Sequence, residues 1–240
     1  QDRLKRHPVD VVLLHNPSAF TLKRDEAFEA LEDLERRGQI IAWGVSAGSV
    51  EVALLAIRRG AKVVELVYNC FLPNDLNALV DEIDNPAKEG GEPGEPTGGT
   101  ETASNEASSE KAATPSGEAA ATAEETAKDA TATPSPERDY PAFIARSVLA
   151  HGLLAGQWSP EREFYPGDHR AERWNPDELR RRVGQLNALR PLVGGDIPSM
   201  RAVALRYVLS NPRVTSAVIG PRGAAQLDQL VREAGREPPY

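Results

Sequence analysis

Five short, nearly continuous apolar runs recur along the chain, and stretches of helical period separate them. They start near residues 9, 40, 63, 142 and 216. The first two intervals are 31 and 23 residues and the third is 79. Leaving out residues 85–136 reduces the third to 27, in line with the others. Serial β-α units of this size predict a parallel sheet, open or closed into a barrel. A run such as Val9-Asp10-Val11-Val12-Leu13-Leu14 suits a strand covered on both faces.

The omitted tract differs in kind. Residues 85–136 contain no Val, Ile, Leu, Met, Phe, Tyr, Trp or Cys. Such a segment cannot offset an ordering entropy of roughly 1–2 kcal/mol per residue, so disorder is expected. It holds ten acidic residues against three lysines, most of the formal net charge of −8. The rest has 26 acids against 25 bases and is close to neutral. The chain therefore divides into residues 1–84 with three βα units, an acidic insert at 85–136, and residues 137–240 with two more. The insert reads as a tolerated surface-loop insertion or as a tether.

Several function classes are disfavoured. No basic stripe suggests nucleic-acid binding, and no apolar run reaches the ~18–20 residues of a membrane span. The start lacks the apolar stretch of a signal peptide. One cysteine, Cys70, cannot form an internal disulfide, which suits the cytoplasm. The chain opens on Gln1 rather than Met, as expected of a fragment or processed product.

The pattern predicts helices near 24–37, 50–59, 75–83, 176–189, 199–209 and 224–233, and strands at 9–14, 40–45, 63–68, 142–149 and 216–219. Gly38 and Gly60 end the first two helices, and Ser49 caps the second. In parallel β/α folds ligands sit at the carboxyl ends of the strands. Those ends are His15-Asn16-Pro17, Ser46-Ala47-Gly48, Tyr68-Asn69-Cys70, His151-Gly152 and Gly220-Pro221-Arg222-Gly223. The last can be an anion site at a helix N-terminus with a forked arginine donor, or an ordinary turn with a solvated arginine. His15 can polarise a carbonyl or shuttle a proton, or be a hydrogen-bonded structural residue. Ser46 can donate to a ligand amide or to nearby backbone. Cys70 reads as a small buried apolar residue. Asp168-His169-Arg170 reads as loop polarity; with no partner at ligand spacing, no metal site is expected.

Taken together, these segments resemble the aldo-keto reductase family. Val11-Val12-Leu13-Leu14-His15-Asn16-Pro17, then Gly38-Gln39-Ile40 and Gly44-Val45-Ser46, resemble the middle of the family's barrel. Ile144 through Gly156 resembles the loop after its seventh strand. Ala204 through Pro212, Ser216 through Arg222, and Gln226-Leu227 resemble its C-terminal cofactor segment. The resemblance implies an α/β fold, a partial (β/α)8 TIM barrel with the last five βα units present. It implies hydride transfer from NADPH to a small-molecule carbonyl. His15 matches the histidine that orients the carbonyl; no residue here matches the family's tyrosine, lysine and aspartate, so this chain is expected to be inactive alone.

The resemblance also implies an NADP(H) site. Ser46 matches the serine that holds the nicotinamide amide, Gly152 and Leu153 the pyrophosphate loop, and Gly220, Arg222 and Gln226 the adenosine-phosphate clamp. Arg222 favours NADP over NAD. Four positions depart from the family: Ala47 for asparagine, Glu65 for glutamine, Gln157 for lysine and Leu230 for asparagine. A carboxylate accepts but cannot donate as an amide does. The alternatives are a non-catalytic nucleotide-binding relic or regulatory module, or a truncated product that does not fold stably. Five barrel strands would leave two parallel edges open, which an oligomer could cover.

Overall fold

The computed structural model describes residues 8–86 and 140–235. Five strands, β1 (Val9–His15), β2 (Ile40–Ser46), β3 (Val63–Val67), β4 (Ala142–Arg146) and β5 (Val214–Ala217), form one sheet. Each pairs in parallel with its neighbour in sequence, in the order β1-β2-β3-β4-β5. A doubly wound sheet reverses its strand order at a switch point. This one does not; its order is that of consecutive strands in a (β/α) barrel.

The helices are α1 (Ala19–Leu22), α2 (Glu26–Arg36), α3 (Val50–Arg58), α4 (Asn74–Asp84), α5 (His169–Arg173), α6 (Pro176–Leu189), α7 (Met200–Leu209) and α8 (Ala224–Glu233). Side chains alternate across the strands, and the register sorts them into two faces. Val45 pairs with Val64, Val64 with Phe143, and Leu66 with Ala145. These residues are buried with Phe28 and Leu31 of α2, Val52 and Ala53 of α3, Leu76 and Leu79 of α4, Leu205 of α7 and Leu230 of α8. One face of the sheet therefore carries the helices and the main core. On the other face Val11, Glu65, Val67, Ile144, Arg146 and Ser216 are half-buried or exposed. Strands β2 and β3 approach closely at Gly44, where a Cβ would lie 1.9 Å from the carbonyl oxygen of Val63.

Several expected boundaries shift. Strand β1 is apolar, yet it is covered on one face only, with Val11 40% exposed. Among the described residues it has a strand neighbour on one side, and no described element packs on its second face. Strand β4 stops at Arg146 because Ser147 takes a left-handed backbone (φ 56°) that a strand cannot continue. The expected helix at 24–37 is shorter and is preceded by a separate turn, α1, capped by Ser18. The last strand lies at 214–217 rather than 216–219, registered by Ser216 against Ile144.

After β4 the chain makes a long excursion. A 3₁₀ segment (Ala150–Ala155), α5 and α6 enclose a second cluster of Leu153, Leu154, Trp158, Trp174, Leu179, Val183 and Leu186. α7 contributes to both clusters, Leu205 and Val208 to the main one and Met200, Val203 and Ala204 to the second. The expected insert begins where Asn85 caps α4; from residue 87 to 139 the chain lies outside the described residues.

Candidate active site at the strand carboxyl ends

The parallel register aligns His15 with Ser46, and Ser46 with Glu65. The three share the face that carries no helices, at the carboxyl ends of β1, β2 and β3. Arg146 sits opposite Val67, two residues beyond Glu65, so it joins the same face from β4. A polar row thus crosses four strands.

Its contacts are specific. The Ser46 hydroxyl donates to Glu65 Oε1 at 2.5 Å. Arg146 Nη2 donates to the Ala47 carbonyl at 3.1 Å. Arg146 Nε lies 3.9 Å from Glu65 Oε1 and is buried without a hydrogen-bond acceptor. Ser46 is buried, Glu65 and Arg146 are half-buried, and His15 is exposed. The row thus combines an anion and a cation in a partly desolvated mouth, with one imidazole at its open end.

The backbone around this row is strained. Asn16 (φ 47°), Ser147 (φ 56°), Ala150 (φ 45°) and His151 (φ 55°) are left-handed without being glycine. Asn16 directly follows β1 and Ser147 directly follows β4; Ala150 and His151 lie in the 3₁₀ segment beyond β4. Such conformations cost on the order of 1–3 kcal/mol each and persist where the surroundings enforce them. Asn69 supplies part of that enforcement. It is buried, donates to the Ser147 carbonyl at 3.0 Å and accepts from the Phe71 amide at 2.9 Å. Gly152 (φ 95°) continues the left-handed path that His151 begins.

The other expected site residues fall into two loops. Gly152 and Leu153 lie in the 3₁₀ segment after β4. The Leu153 side chain is buried in the second core cluster, so only its backbone faces a ligand role. Gly220 and Arg222 are exposed after β5, and Gln226 Oε1 accepts from the Arg222 amide at 2.7 Å. That bond ties the loop to the first turn of α8, whose N-cap Gly223 offers no side-chain acceptor. Leu230 is part of the main core. A residue there packs the helix rather than reaching a nucleotide.

Other residues singled out in the sequence take structural roles. Asp168 caps α5 and grips the Arg170 guanidinium, with Arg170 Nε at 2.8 Å. That side-chain hydrogen bond is the main reason its carboxyl is held well below the usual range. Burial pushes the Cys70 thiol up to about 11. Tyr68 follows β3 but turns to the helix side, stacks on Tyr207 and accepts from Asn211 Nδ2 at 3.0 Å. No group of metal-ligating side chains occurs among the described residues. Nor, among them, is any helix long and apolar enough to cross a membrane.

Sequence reasoning overlooked Arg146 and Asn69 as site residues. Asn69 stands at a strand end already selected, whereas the strand expected at 142–149 placed Arg146 inside it; the contacts of both depend on register.

Residues 141–235 match the model of the Aldo/keto reductase family. Over this segment the chain is similar to the aldo-keto reductases. Two solved structures agree with the architecture. An aldo-keto reductase of Bacillus halodurans, AKR11C1 in its holo form, shares 18% identity at a TM-score of 0.60, covering 100% of this chain and 59% of its own. The glycerol dehydrogenase AKR11B4 of Gluconobacter oxydans shares 19% at 0.65, covering 100% and 57%. The chain thus spans under two thirds of the length of these structures, and at such identity the likeness establishes the fold. No protein of curated function matches the sequence.

Proposed function

We propose that the chain carries the cofactor side of an NADP(H)-dependent carbonyl oxidoreductase and that it does not turn over substrate by itself. The observation that carries this reading is the polar row His15, Ser46, Glu65 and Arg146 at the strand ends, in a chain whose residues 141–235 match a family that generally uses a nicotinamide cofactor.

The residues present fit such a group. Arg146 Nε is a buried donor without an acceptor. Arg222 is an exposed forked cation beside the uncapped first turn of α8, a combination suited to a phosphate. Gly152 keeps the loop after β4 free of a side chain where a pyrophosphate would approach. In this reading the bound cofactor supplies hydride. Ser46 and Glu65 orient the nicotinamide amide, Gly220, Arg222 and Gln226 hold the adenosine phosphate, and His15 orients the carbonyl oxygen of a small substrate.

What supports inactivity is that no residue of the sequence matches the tyrosine, lysine and aspartate that the resemblance implies, and that Tyr68 is committed to the helix side. Strands β1 and β5 each pair on one side among the described residues, and further strands or a partner copy would add there. A cytoplasmic setting suits the reading.

The test is an assay of the purified chain with NADPH and a reactive aldehyde, paired with titration of NADPH fluorescence. The expected result is binding without turnover, weakened about tenfold or more in Arg222→Ala through loss of a charge-assisted contact. Turnover abolished by His15→Ala would overturn the inactivity, and equal binding by Arg222→Ala would remove the phosphate assignment.

A further inference from the structure

A carboxylate stands in this row where it changes what the site can prefer. Glu65 accepts the Ser46 hydroxyl proton at 2.5 Å, and its own side chain is only 15% exposed. The residue that balances it, Arg146, stands off at 3.9 Å and directs Nη2 to the Ala47 carbonyl instead. The pair is therefore loosely joined, and each charge keeps a field of its own at the mouth of the strands. Any flat ligand held by Ser46 lies beside both charges.

Loss of hydride, a proton with two electrons, converts a neutral dihydronicotinamide ring into a cationic pyridinium. The two redox forms of one cofactor thus differ by a full positive charge at the ring, and hardly at all in shape. We propose that Glu65 and Arg146 form an opposed charge pair that sets which redox form this site holds. Glu65 favours the oxidised, cationic ring, and Arg146 favours the reduced, neutral one. This inference rests on the cofactor reading above and adds to it a determinant of redox preference.

The sign of the effect separates it from simple damage to the site. In a partly desolvated mouth, a unit charge several ångströms from the ring is worth about tenfold or more in relative affinity. Glu65→Gln keeps the shape and removes the anion. It should move the ratio of dissociation constants, NADP+ over NADPH, upward by about tenfold. Arg146→Met keeps most of the side-chain volume and removes the cation. It should move the same ratio downward by a similar factor. Damage to shape would weaken both forms alike in either variant.

The experiment is calorimetric titration of the full chain and both variants with NADP+ and with NADPH, with circular dichroism confirming that each variant is folded. Ratios that move in opposite directions support the proposal. Ratios within threefold of wild type, or moving the same way in both variants, overturn it while leaving the cofactor reading in place. A wild-type chain that takes up neither form overturns that reading and this inference with it. Should one variant fail to fold, the sign observed in the other decides.

Discussion

Arg201 and Glu233 join the first turn of α7 to the last turn of α8 in an arrangement that neither helix favours alone. Arg201 is a cation at a helix N-terminus and Glu233 an anion at a helix C-terminus. Each placement opposes the helix dipole by roughly 0.3–1 kcal/mol. The pair exists because the geometry overcomes this. Arg201 Nε and Nη2 each donate to a different Glu233 oxygen at 2.8 Å, and Gln229 Nε2 adds a third bond at 3.0 Å. The side chains are 16% and 9% exposed. Breaking such a buried pair from one side costs about 3–5 kcal/mol, from which relief of one adverse dipole contact is subtracted. Arg201→Met and Glu233→Gln should therefore each cost about 2–4 kcal/mol. The double variant Arg201→Met with Glu233→Leu leaves no orphaned charge and should lie within about 1 kcal/mol of wild type. The assay is urea unfolding, with the shift in midpoint converted through the common slope. Costs that simply add in the double variant, or single costs below about 0.5 kcal/mol, would refute the reasoning.

The same pair sets a pH dependence. Burial is the largest single influence on the Glu233 carboxyl and would raise it; the hydrogen bonds from Arg201, Ser199 and Gln229 and the Arg201 charge together outweigh it, and the net effect is a lowered value. A lowered folded-state value means that the stabilisation is present above the ordinary carboxylate range and is lost as pH falls through the folded value. The stability gap between wild type and Glu233→Gln should be full at neutral pH and shrink below about pH 4, read by the same unfolding curves. Gly44→Ala would place a Cβ against the Val63 carbonyl, so β2 and β3 must separate; a loss of about 3 kcal/mol or more in thermal or urea unfolding is expected. Because that separation also pulls Ser46 from Glu65, NADPH binding should fall with it. Cys70, with its thiol pushed up to about 11, should react slowly with iodoacetamide at pH 8, where only about 0.1% is thiolate, and faster as pH rises. Rapid alkylation at pH 8 would contradict its burial.

Much of the architecture is written in local pattern. The period of apolar residues places α6 at 176–189 and α8 at 224–233 as observed, and Gly38 and Gly60 follow the last turns of α2 and α3 with left-handed backbones. Ser49 caps α3 through the Val52 amide. The recurrence of βα units also fixes a parallel sheet, because short crossovers of helical length allow little else. These features depend on neighbours within a turn or two, which is what a sequence displays directly. The ordered motifs ending at His15, Ser46 and Arg222 carry the resemblance to aldo-keto reductases for the same reason: strand-end loops are local in sequence.

Contacts between strands are not local. Ser46 meets Glu65 across nineteen positions, and Arg146 meets Ala47 across ninety-nine. In the sequence Glu65 is only a carboxylate where an amide is usual, and Arg146 is one basic residue among many. Register puts them on one face within reach, and burial makes their charges matter. The one-sided covering of β1 likewise follows from which elements pack beside it, not from its composition. The sequence by itself determined the main strands and helices, their order and the strand ends of the candidate site. The tertiary structure alone decided which side chains share that site and which charges it leaves loosely paired, because register and burial arise between residues far apart in the chain.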